Sequence, residues 1–567
     1  MILRHLAPAV FALLVAFAAA TARAQTPQSV PHAVHADNGM VVAQEARAAR
    51  IGAEILKKGG NAVDAAVAVG FAMAVTYPRA GNIGGGGFMV IHLATGDDVT
   101  IDYRETAPAA ATRDMFLNAA GEADPAKSRD SALSIGVPGT VAGLALAQAK
   151  YGSGKFSLAD LIGPAIALAR DGIPVEDDVA DSLPSVRARL ARWPSSAKIF
   201  LKGDGAPLVQ GDRLVQSDLA DTLERIAREG SRAFYEGEIA NKLAASIQAA
   251  GGIMTAADLK NYHATIRAPV RGTYRGYDIV SMPPPSSGGV HLIEMLNILE
   301  GYELKTRDAA SLHLMIEAMT RAYADRATYL GDPETVQVPV KGLTSKAYAK
   351  SLRASITEKA TPPATVRPGN PSIHEGDNTT HYSVVDQDGN AVSNTYTLNF
   401  SYGLGFVADG TGILMNNELD DFTAKPGAAN AFGLVGFEAN LPGPNKRPLS
   451  SMTPTIVLKD GEPVLVTGSP GGSRIITAVL QVIVNVLDFK MPVNEAVGAP
   501  RLHHQWRPED VFVEPGFDAD TLADLGQRGH KITPTRPGTS ANSIAVTDDD
   551  VIGAADARTR GALAVGH

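Results

Sequence analysis

The chain has 567 residues, of which 45% are hydrophobic and 20% are charged, an ordinary composition for a globular protein. Its formal net charge of −9 does not favour the basic surface that binds phosphate backbones, so the sequence argues against a nucleic-acid partner. Because the chain has no cysteine, disulfide bonds, cysteine-ligated zinc and a thiol nucleophile are excluded.

The first 24 residues are typical of a secretory signal peptide. Arg4 and His5 precede an apolar stretch from Leu6 to Ala20, and Ala22-Arg23-Ala24 provides the small residues of a cleavage site. The alternative is a membrane anchor, for which this apolar stretch is short. We therefore expect residues 1–24 to be removed and the mature protein to be periplasmic or secreted, with no membrane association.

The part of the chain up to residue 330 is predicted to be mainly helical around one strand hairpin. Helix-period apolar positions between Gln44 and Val75 are interrupted at Lys58–Asn61, which indicates two packed helices. The glycine loop Gly81–Gly87 leads into predicted strands at Phe88–Leu93 and Val99–Tyr103. The other predicted helices lie near residues 139–150, 158–171, 218–229, 237–250 and 308–328.

Residues 354–378 are rich in proline, glycine and polar residues, which predicts an exposed linker. Strand signals are dense after it. The predicted hairpins pair His381–Val385 with Ala391–Leu398, Thr455–Lys459 with Glu462–Thr467, and Ser543–Thr547 with Val551–Ala554, and an apolar helix is predicted at Arg474–Leu487. Because helices and antiparallel hairpins are abundant without strict alternation, the pattern predicts an α+β layered fold.

The end of the linker, Asn378-Thr379-Thr380-His381, is the segment where the sequence suggests catalysis. A threonine hydroxyl is a poor nucleophile unless a base removes its proton. A free α-amino group has a pKa of roughly 7.7–8.0, so cleavage before a threonine would create base and nucleophile together. A threonine pair that merely opens a strand is the alternative, and the pattern does not choose between Thr379 and Thr380.

Polar groups that could serve such a nucleophile occur in the segments that follow. On the predicted strand 391–399, alternation places Thr395, Thr397 and Asn399 on one face. The remaining polar segments are a carboxylate cluster at Asn416–Asp421, two hydroxyls within Arg447–Met452, and a glycine-lined helix start at Ser469–Arg474. Free N–H groups at such a helix start suit an oxyanion, although each segment alone is also typical of a polar turn.

Together these segments resemble the small subunit of γ-glutamyltranspeptidases. The matching small-subunit segments are Thr379–Asp386, Ala391–Asn399, Gly412–Pro426, Pro444–Thr455 and Thr467–Thr477, and the matching large-subunit segments are Gly60–Ala65, Gly81–Phe88 and Asp102–Glu105. The resemblance covers nearly the whole chain after the signal peptide. It implies an N-terminal-nucleophile hydrolase fold, in which two stacked sheets lie between helical layers (αββα).

The resemblance also implies a precursor that is cut between Asn378 and Thr379 into two chains, which stay together as a heterodimer. Residues 25–378 would form the large subunit, ending in the linker at about 354–378, and residues 379–567 the small subunit. Thr379, rather than Thr380, matches the family's nucleophile. Thr397 matches a second threonine that supports cleavage and catalysis. No metal or organic cofactor is implied.

The other matched positions imply a pocket for a γ-glutamyl group, which carries an α-carboxylate and an α-ammonium. The resemblance assigns the carboxylate to Arg104, Ser450 and Ser451, the ammonium to Asn399, Glu418 and Asp421, and the oxyanion to the N–H groups of Gly471 and Gly472. The implied reaction transfers the γ-glutamyl group of glutathione or related compounds through an ester on Thr379. The acceptor is water, an amino acid or a dipeptide.

Two other functions remain open. A related amidase, such as a glutaryl-cephalosporin acylase, would share the fold and the self-cleavage, but a glutaryl group lacks the α-ammonium. An uncleaved scaffold protein would have no need of Thr379 and Thr397. Phe432 stands where some relatives have a gating tyrosine, so the ratio of transfer to hydrolysis is left undetermined.

Overall fold

The computed structural model describes residues 30–366, 379–428 and 437–567. The predicted signal peptide, Asn378 and Phe432 lie outside the described residues. No helix in the described ranges is long and apolar enough to span a bilayer.

The strands fall into two large sheets and two small ones. In chain order they are β1 (Val34–Ala36), β2 (Met40–Ala43), β3 (Gly86–His92), β4 (Asp98–Asp102), β5 (Ile173–Pro174), β6 (Arg213–Leu214), β7 (Thr265–Arg267), β8 (Val270–Tyr274), β9 (Tyr277–Ser281), β10 (Thr380–Val385), β11 (Ala391–Thr397), β12 (Thr455–Lys459), β13 (Glu462–Thr467), β14 (Leu502–His503), β15 (Asp510–Val513), β16 (Lys531–Pro534), β17 (Ser543–Val546), β18 (Val551–Ala554) and β19 (Leu563–Gly566).

The helices are concentrated in the first 353 residues. They are α1 (Ala46–Lys57), α2 (Ala62–Thr76), α3 (Pro125–Ser128), α4 (Thr140–Tyr151), α5 (Leu158–Asp171), α6 (Asp177–Leu190), α7 (Pro194–Phe200), α8 (Ser217–Glu229), α9 (Arg232–Tyr235), α10 (Gly237–Ala249), α11 (Ala256–Asn261), α12 (Gly288–Leu299), α13 (Ala309–Tyr329), α14 (Val340–Leu343), α15 (Lys346–Arg353), α16 (Arg474–Leu487), α17 (Val493–Gly498) and α18 (Ala519–Arg528), with 3₁₀ turns at Ala132–Ser134, Glu418–Asp421 and Glu438–Asn440.

Two seven-stranded sheets form the centre of the molecule. The first has the order β1-β18-β17-β13-β12-β9-β8, and the second has the order β19-β2-β10-β11-β3-β4-β7. The neighbours in both sheets pair antiparallel. Each sheet combines strands that precede residue 378 with strands that follow it.

The buried side chains divide into layers that match the predicted αββα arrangement. One cluster joins both sheets and includes Val42 and Val90 from the second sheet and Ile456 and Val466 from the first. Two larger clusters pack helices on the outer faces: α1, α2 and α4 contact the second sheet, and α12 contacts the first, with α13 and α16 packed against α12. Since strand side chains alternate between faces, each strand serves one outer layer and the shared centre. The predicted fold class is confirmed.

The predicted elements agree with the structure to within one or two residues, but two details are wrong, and other elements, among them α6, α18 and β14 to β16, were not predicted. Residues 265–281, in the part of the chain predicted to be mainly helical, form the three short strands β7, β8 and β9. The predicted alternation to Asn399 is wrong, because β11 ends at Thr397 and Asn399 has a left-handed φ of 73°. A left-handed residue breaks the two-residue period of a strand, so Asn399 belongs to the following turn.

Candidate active site

Thr379 lies at the point where β10 begins, and its side chain is almost completely buried. In the β10–β11 pair, Thr380 is opposite Tyr396. Continuing this antiparallel register by one residue places Thr379 opposite Thr397. The two threonines that the sequence singled out are therefore brought together by strand pairing.

The glycine loop before β3 supports Thr397 from the other side. The Asn82 side chain donates from Nδ2 to the Thr397 carbonyl at 2.8 Å and accepts from the Gly85 N–H at 2.8 Å. A Cβ on Gly85 would lie 2.0 Å from the Thr397 carbonyl oxygen, so no larger residue fits there. The close packing of this loop therefore fixes the position of the last residue of β11.

Gly471 and Gly472 lie directly before α16, with φ values of 133° and 55°. Neither N–H donates to a backbone carbonyl of another described residue. A cleft with about 500 Å³ of empty space is lined by both Thr379 and Gly471. Gly471, just before this helix, thus lines the same cleft as Thr379, which is compatible with an oxyanion site there.

A second group of predicted residues forms a buried cluster of charges, which we call the charged pocket: Arg104, Glu105, Glu418 and Asp421. The Arg104 guanidinium donates to the Glu418 and Asp421 carboxylates. It also donates from Nε to the Pro448 carbonyl at 3.1 Å. Burial alone would lower the pKa of Arg104, but the attraction of Glu418 and Asp421 raises it above its usual value, so the guanidinium stays charged.

The acidic side of the charged pocket keeps unused acceptors. Burial raises the pKa of Glu418 well above its usual value, and it also raises the pKa of Asp421, despite the opposing attraction of Arg104. Glu418 Oε2 and Asp421 Oδ1 have no hydrogen-bond partner among the described residues. Two carboxyls this close can share one proton, and an ammonium can replace that proton.

The other predicted binding residues connect this pocket to the nucleophile. Asn399 donates from its backbone N–H to Thr397 Oγ1 at 2.8 Å and from Nδ2 to the Asn417 carbonyl at 2.9 Å, next to Glu418. Ser450 Oγ accepts from the Met452 N–H at 3.1 Å. Ser451 Oγ is buried and has no partner among the described residues, which leaves it able to bind a ligand.

Sequence reasoning did not single out two acidic residues of this region. Burial raises the pKa of Glu105 to about 8, and its carboxylate lies 3.8 Å from Arg104. Burial also raises the pKa of Asp420 to about 7, although Ser128 Oγ donates to it at 2.6 Å. Glu105 is adjacent to Arg104, and Asp420 is adjacent to Asp421. This adjacency to residues matched by the resemblance was the signal that could have identified them.

Comparisons of the whole chain with known proteins agree with this geometry. A model of the gamma-glutamyltranspeptidase family matches residues 48–566. The glutathione hydrolase proenzyme of Escherichia coli K12 is 52% identical over 95% of this chain and 94% of its own length. The acylase ACY 1 proenzyme of Pseudomonas sp. V22 is 40% identical over 91% of each chain.

Solved structures show the same fold. The cephalosporin acylase of Bacillus halodurans has a TM-score of 0.86 at 29% identity, covering 96% of this chain and 98% of that one. The Helicobacter pylori γ-glutamyltranspeptidase has a TM-score of 0.56 at 46% identity, covering 58% of this chain and 95% of that one. From the family match and the identity to curated relatives, the chain belongs to the γ-glutamyltranspeptidase family of enzymes.

Proposed function

We propose that this chain is a self-cleaving γ-glutamyltransferase that hydrolyses glutathione and related γ-glutamyl compounds or transfers their γ-glutamyl group to amino acids and dipeptides. The single observation that carries this proposal is the charged pocket. Its fully buried guanidinium donates to two carboxylates with unused acceptor atoms and to the carbonyls of Pro448 and Leu449, in the segment that carries the buried, unpartnered Ser451 hydroxyl. Such a site matches a ligand that carries one negative and one positive group.

Activation would begin with the hydroxyl of Thr379 attacking the carbonyl carbon of Asn378. The peptide C–N bond breaks as an ester to Thr379 Oγ forms, and water then hydrolyses that ester. The products are a large subunit ending at Asn378 and a small subunit beginning with a free amine on Thr379. Thr397 would orient this residue, which is supported by the strand register that sets the two threonines opposite each other.

In the mature enzyme, the new amine would take the proton of the Thr379 hydroxyl as that hydroxyl attacks the γ-carbonyl of the substrate. The N–H groups of Gly471 and Gly472 would hold the developing oxyanion. The leaving amine departs with a proton, and the γ-glutamyl group remains as an ester. Water or an acceptor amine then releases it.

Substrate binding would exchange partners inside the charged pocket. Glu418, Asp421 and the Asn399 amide oxygen would accept from the α-ammonium, while Arg104, Ser450 and Ser451 would donate to the α-carboxylate. Because the ligand brings one charge of each sign, it adds no net charge of its own when the internal ion pairs are replaced, and the shared carboxyl proton leaves as the ammonium takes its place. A ligand without the ammonium would leave the buried carboxylates without a partner.

The proposal includes the wider organisation predicted from the sequence. Residues 1–24 would direct export, so that the enzyme works in the periplasm or outside the cell. Residues 25–378 and 379–567 would remain together as a heterodimer. Phe432 would affect how the site is closed and hence the balance between transfer and hydrolysis.

A matched pair of chromogenic anilides tests the substrate. The γ-glutamyl anilide and the glutaryl anilide differ only in the α-amino group. We expect kcat/KM for the glutaryl compound to be lower by at least about 100-fold, because a buried charged hydrogen bond contributes roughly 1.5–3 kcal/mol and its loss leaves a carboxylate unpaired. Equal rates would favour an acylase instead, and a chain that cleaves neither anilide would favour the scaffold alternative.

A further inference from the structure

Three buried side chains with metal-ligating atoms converge away from the candidate active site: His313, Glu317 and His530. One ligand atom of each lies within 4.8 Å of the other two. His313 and Glu317 are four residues apart on α13, which places them on the same face of the helix. His530 lies between α18 and β16, so the cluster joins two distant parts of the chain.

The hydrogen bonds of His313 fix its tautomer. Its Nε2 lies 2.7 Å from the Thr357 carbonyl oxygen, which can only accept, so Nε2 carries the proton. Nδ1 therefore presents a lone pair, 2.8 Å from Nε2 of His530. An imidazole that donates one N–H to a backbone carbonyl and turns the other nitrogen inward is the usual arrangement of a metal-binding histidine.

Glu317 is held by its neighbours in a similar way. The Thr361 N–H donates to Oε1 at 2.9 Å, and the Thr361 hydroxyl donates to Oε2 at 2.6 Å. Arg321 donates to Oε2 at 2.7 Å. These bonds use three of about four lone-pair positions of a carboxylate and leave one for an ion. Because Arg321 shares this carboxylate, the two imidazoles would provide most of the affinity.

We propose that His313, His530 and Glu317 bind one divalent transition-metal ion, for which zinc is the best match to two imidazole nitrogens and a carboxylate oxygen. Two nitrogens on one tetrahedral zinc lie roughly 3.3 Å apart, so the rings must separate by about half an ångström from their present contact. His530 must also hold its proton on Nδ1, so that Nε2 can coordinate. A directly hydrogen-bonded histidine pair without metal is the competing arrangement.

The position of this site gives it a role distinct from catalysis. His313 and Glu317 precede the predicted cleavage position and His530 follows it. Thr357 and Thr361, which orient two of the ligands, belong to the segment that leads to that position. On the proposed cleavage, the ion would connect the two subunits and hold the segment 357–361 of the large one.

The test uses untagged, chelator-treated full-length protein and Co²⁺ as a spectroscopic probe for zinc. We expect one Co²⁺ per chain in equilibrium dialysis, with visible absorption typical of nitrogen and oxygen ligands in a four-coordinate site. His313→Gln and His530→Gln should each weaken binding by about 100-fold or more, since even the loss of an outer partner costs roughly 10- to 100-fold. His503→Gln is the matched control, because His503 is buried but both of its nitrogens are bonded to Thr477 and Gln505.

Zinc should also raise the melting temperature of the chelator-treated wild type and leave that of the two ligand variants unchanged. Failure of the wild type to take up one Co²⁺ would overturn the proposal whether or not the variants fold. Equal binding by the wild type and by folded ligand variants would assign the metal to another place and overturn it as well. Repeating the dialysis with Thr379→Ala separates this proposal from the proposed cleavage, because an uncut chain retains all three ligands.

Discussion

The nucleophile region and the charged pocket are built on opposite physical principles. Thr379, Thr397 and Gly471 carry no charged side chain, and strand register and a helix start determine their positions. Around Arg104, buried charges determine each other's positions through direct ion pairs with Glu418 and Asp421. The backbone can therefore prepare the first region without a ligand, whereas the second must give up internal partners to accept one.

This difference predicts separable effects on catalysis, binding and stability. Changes in the nucleophile region should abolish chemistry while the fold remains, because few other contacts depend on one hydroxyl. Changes in the charged pocket should affect binding and stability together, because each group there neutralises another. Substitutions at Thr379, at Arg104 and at Asp420, which is adjacent to the charged pocket, test this separation in order of decreasing effect.

Thr379→Ala should give a single uncut chain with the wild-type fold. Without the hydroxyl neither self-cleavage nor the γ-glutamyl ester can form, so turnover should fall by at least about 10⁴-fold. A denaturing gel and the γ-glutamyl anilide measure the two effects. Thr379→Ser keeps a hydroxyl and should still yield two fragments. Two normal fragments from Thr379→Ala would show that Thr379 is not the nucleophile of self-cleavage. The proposed difference between the nucleophile region and the charged pocket would then be wrong.

Arg104→Lys should raise KM for the γ-glutamyl anilide by roughly 10- to 100-fold with a smaller change in kcat, because an ammonium cannot reproduce the guanidinium's paired contacts. Lysine is the informative choice, since Arg104→Ala would leave buried carboxylates unpaired and cost roughly 3–5 kcal/mol of stability. Arg275→Lys, which alters a guanidinium that pairs with Asp488 outside the pocket, is the control. An unchanged KM in Arg104→Lys would contradict the proposed binding of the α-carboxylate by Arg104.

Asp420→Asn should reduce the loss of stability between pH 5 and pH 8. The pKa of Asp420 is raised to about 7, so the folded state holds the proton more tightly than the unfolded state. Ionisation then destabilises the fold by up to about 4 kcal/mol as pH rises from about 4 to 7. Denaturant unfolding at both pH values, with exposed Asp549→Asn as control, measures this. If the free energy of unfolding depended on pH in the same way in Asp420→Asn and in the wild type, Asp420 would not contribute to that dependence.

The sequence predicted the fold class and most of the longer helices and strands because their local signals agree with the final packing. The helix Arg474–Leu487 and the hairpin Thr455–Lys459 with Glu462–Thr467 have the predicted bounds. Strands β7 to β9 were missed, since short half-exposed strands between helices give a weak alternation. The α+β prediction and the family resemblance are confirmed, while the subunit boundaries and the roles of individual residues stay predictions.

The candidate site was only partly accessible from sequence. The family resemblance identified Arg104, Glu418 and Asp421 as binding residues and assigned Arg104 and the two carboxylates to opposite ends of a ligand. It gave no sign that Arg104 pairs with both carboxylates, because its contact with Glu418 joins residues 314 positions apart. The cluster of His313 and His530 was missed for the same reason, since 217 positions separate two side chains that meet only after folding.

The mixed strand order of the two central sheets has a consequence for the timing of maturation. A chain severed at the proposed position before folding would leave both pieces with exposed, unpaired strand edges, which favour aggregation. In a chain severed after folding, the strands of the two pieces remain paired with each other, so the break costs little free energy. Since Thr379 lies opposite Thr397 only when β10 has paired with β11, the proposed attack on the scissile bond would take place only in folded molecules. Each cut would therefore take place only in a molecule that has already folded.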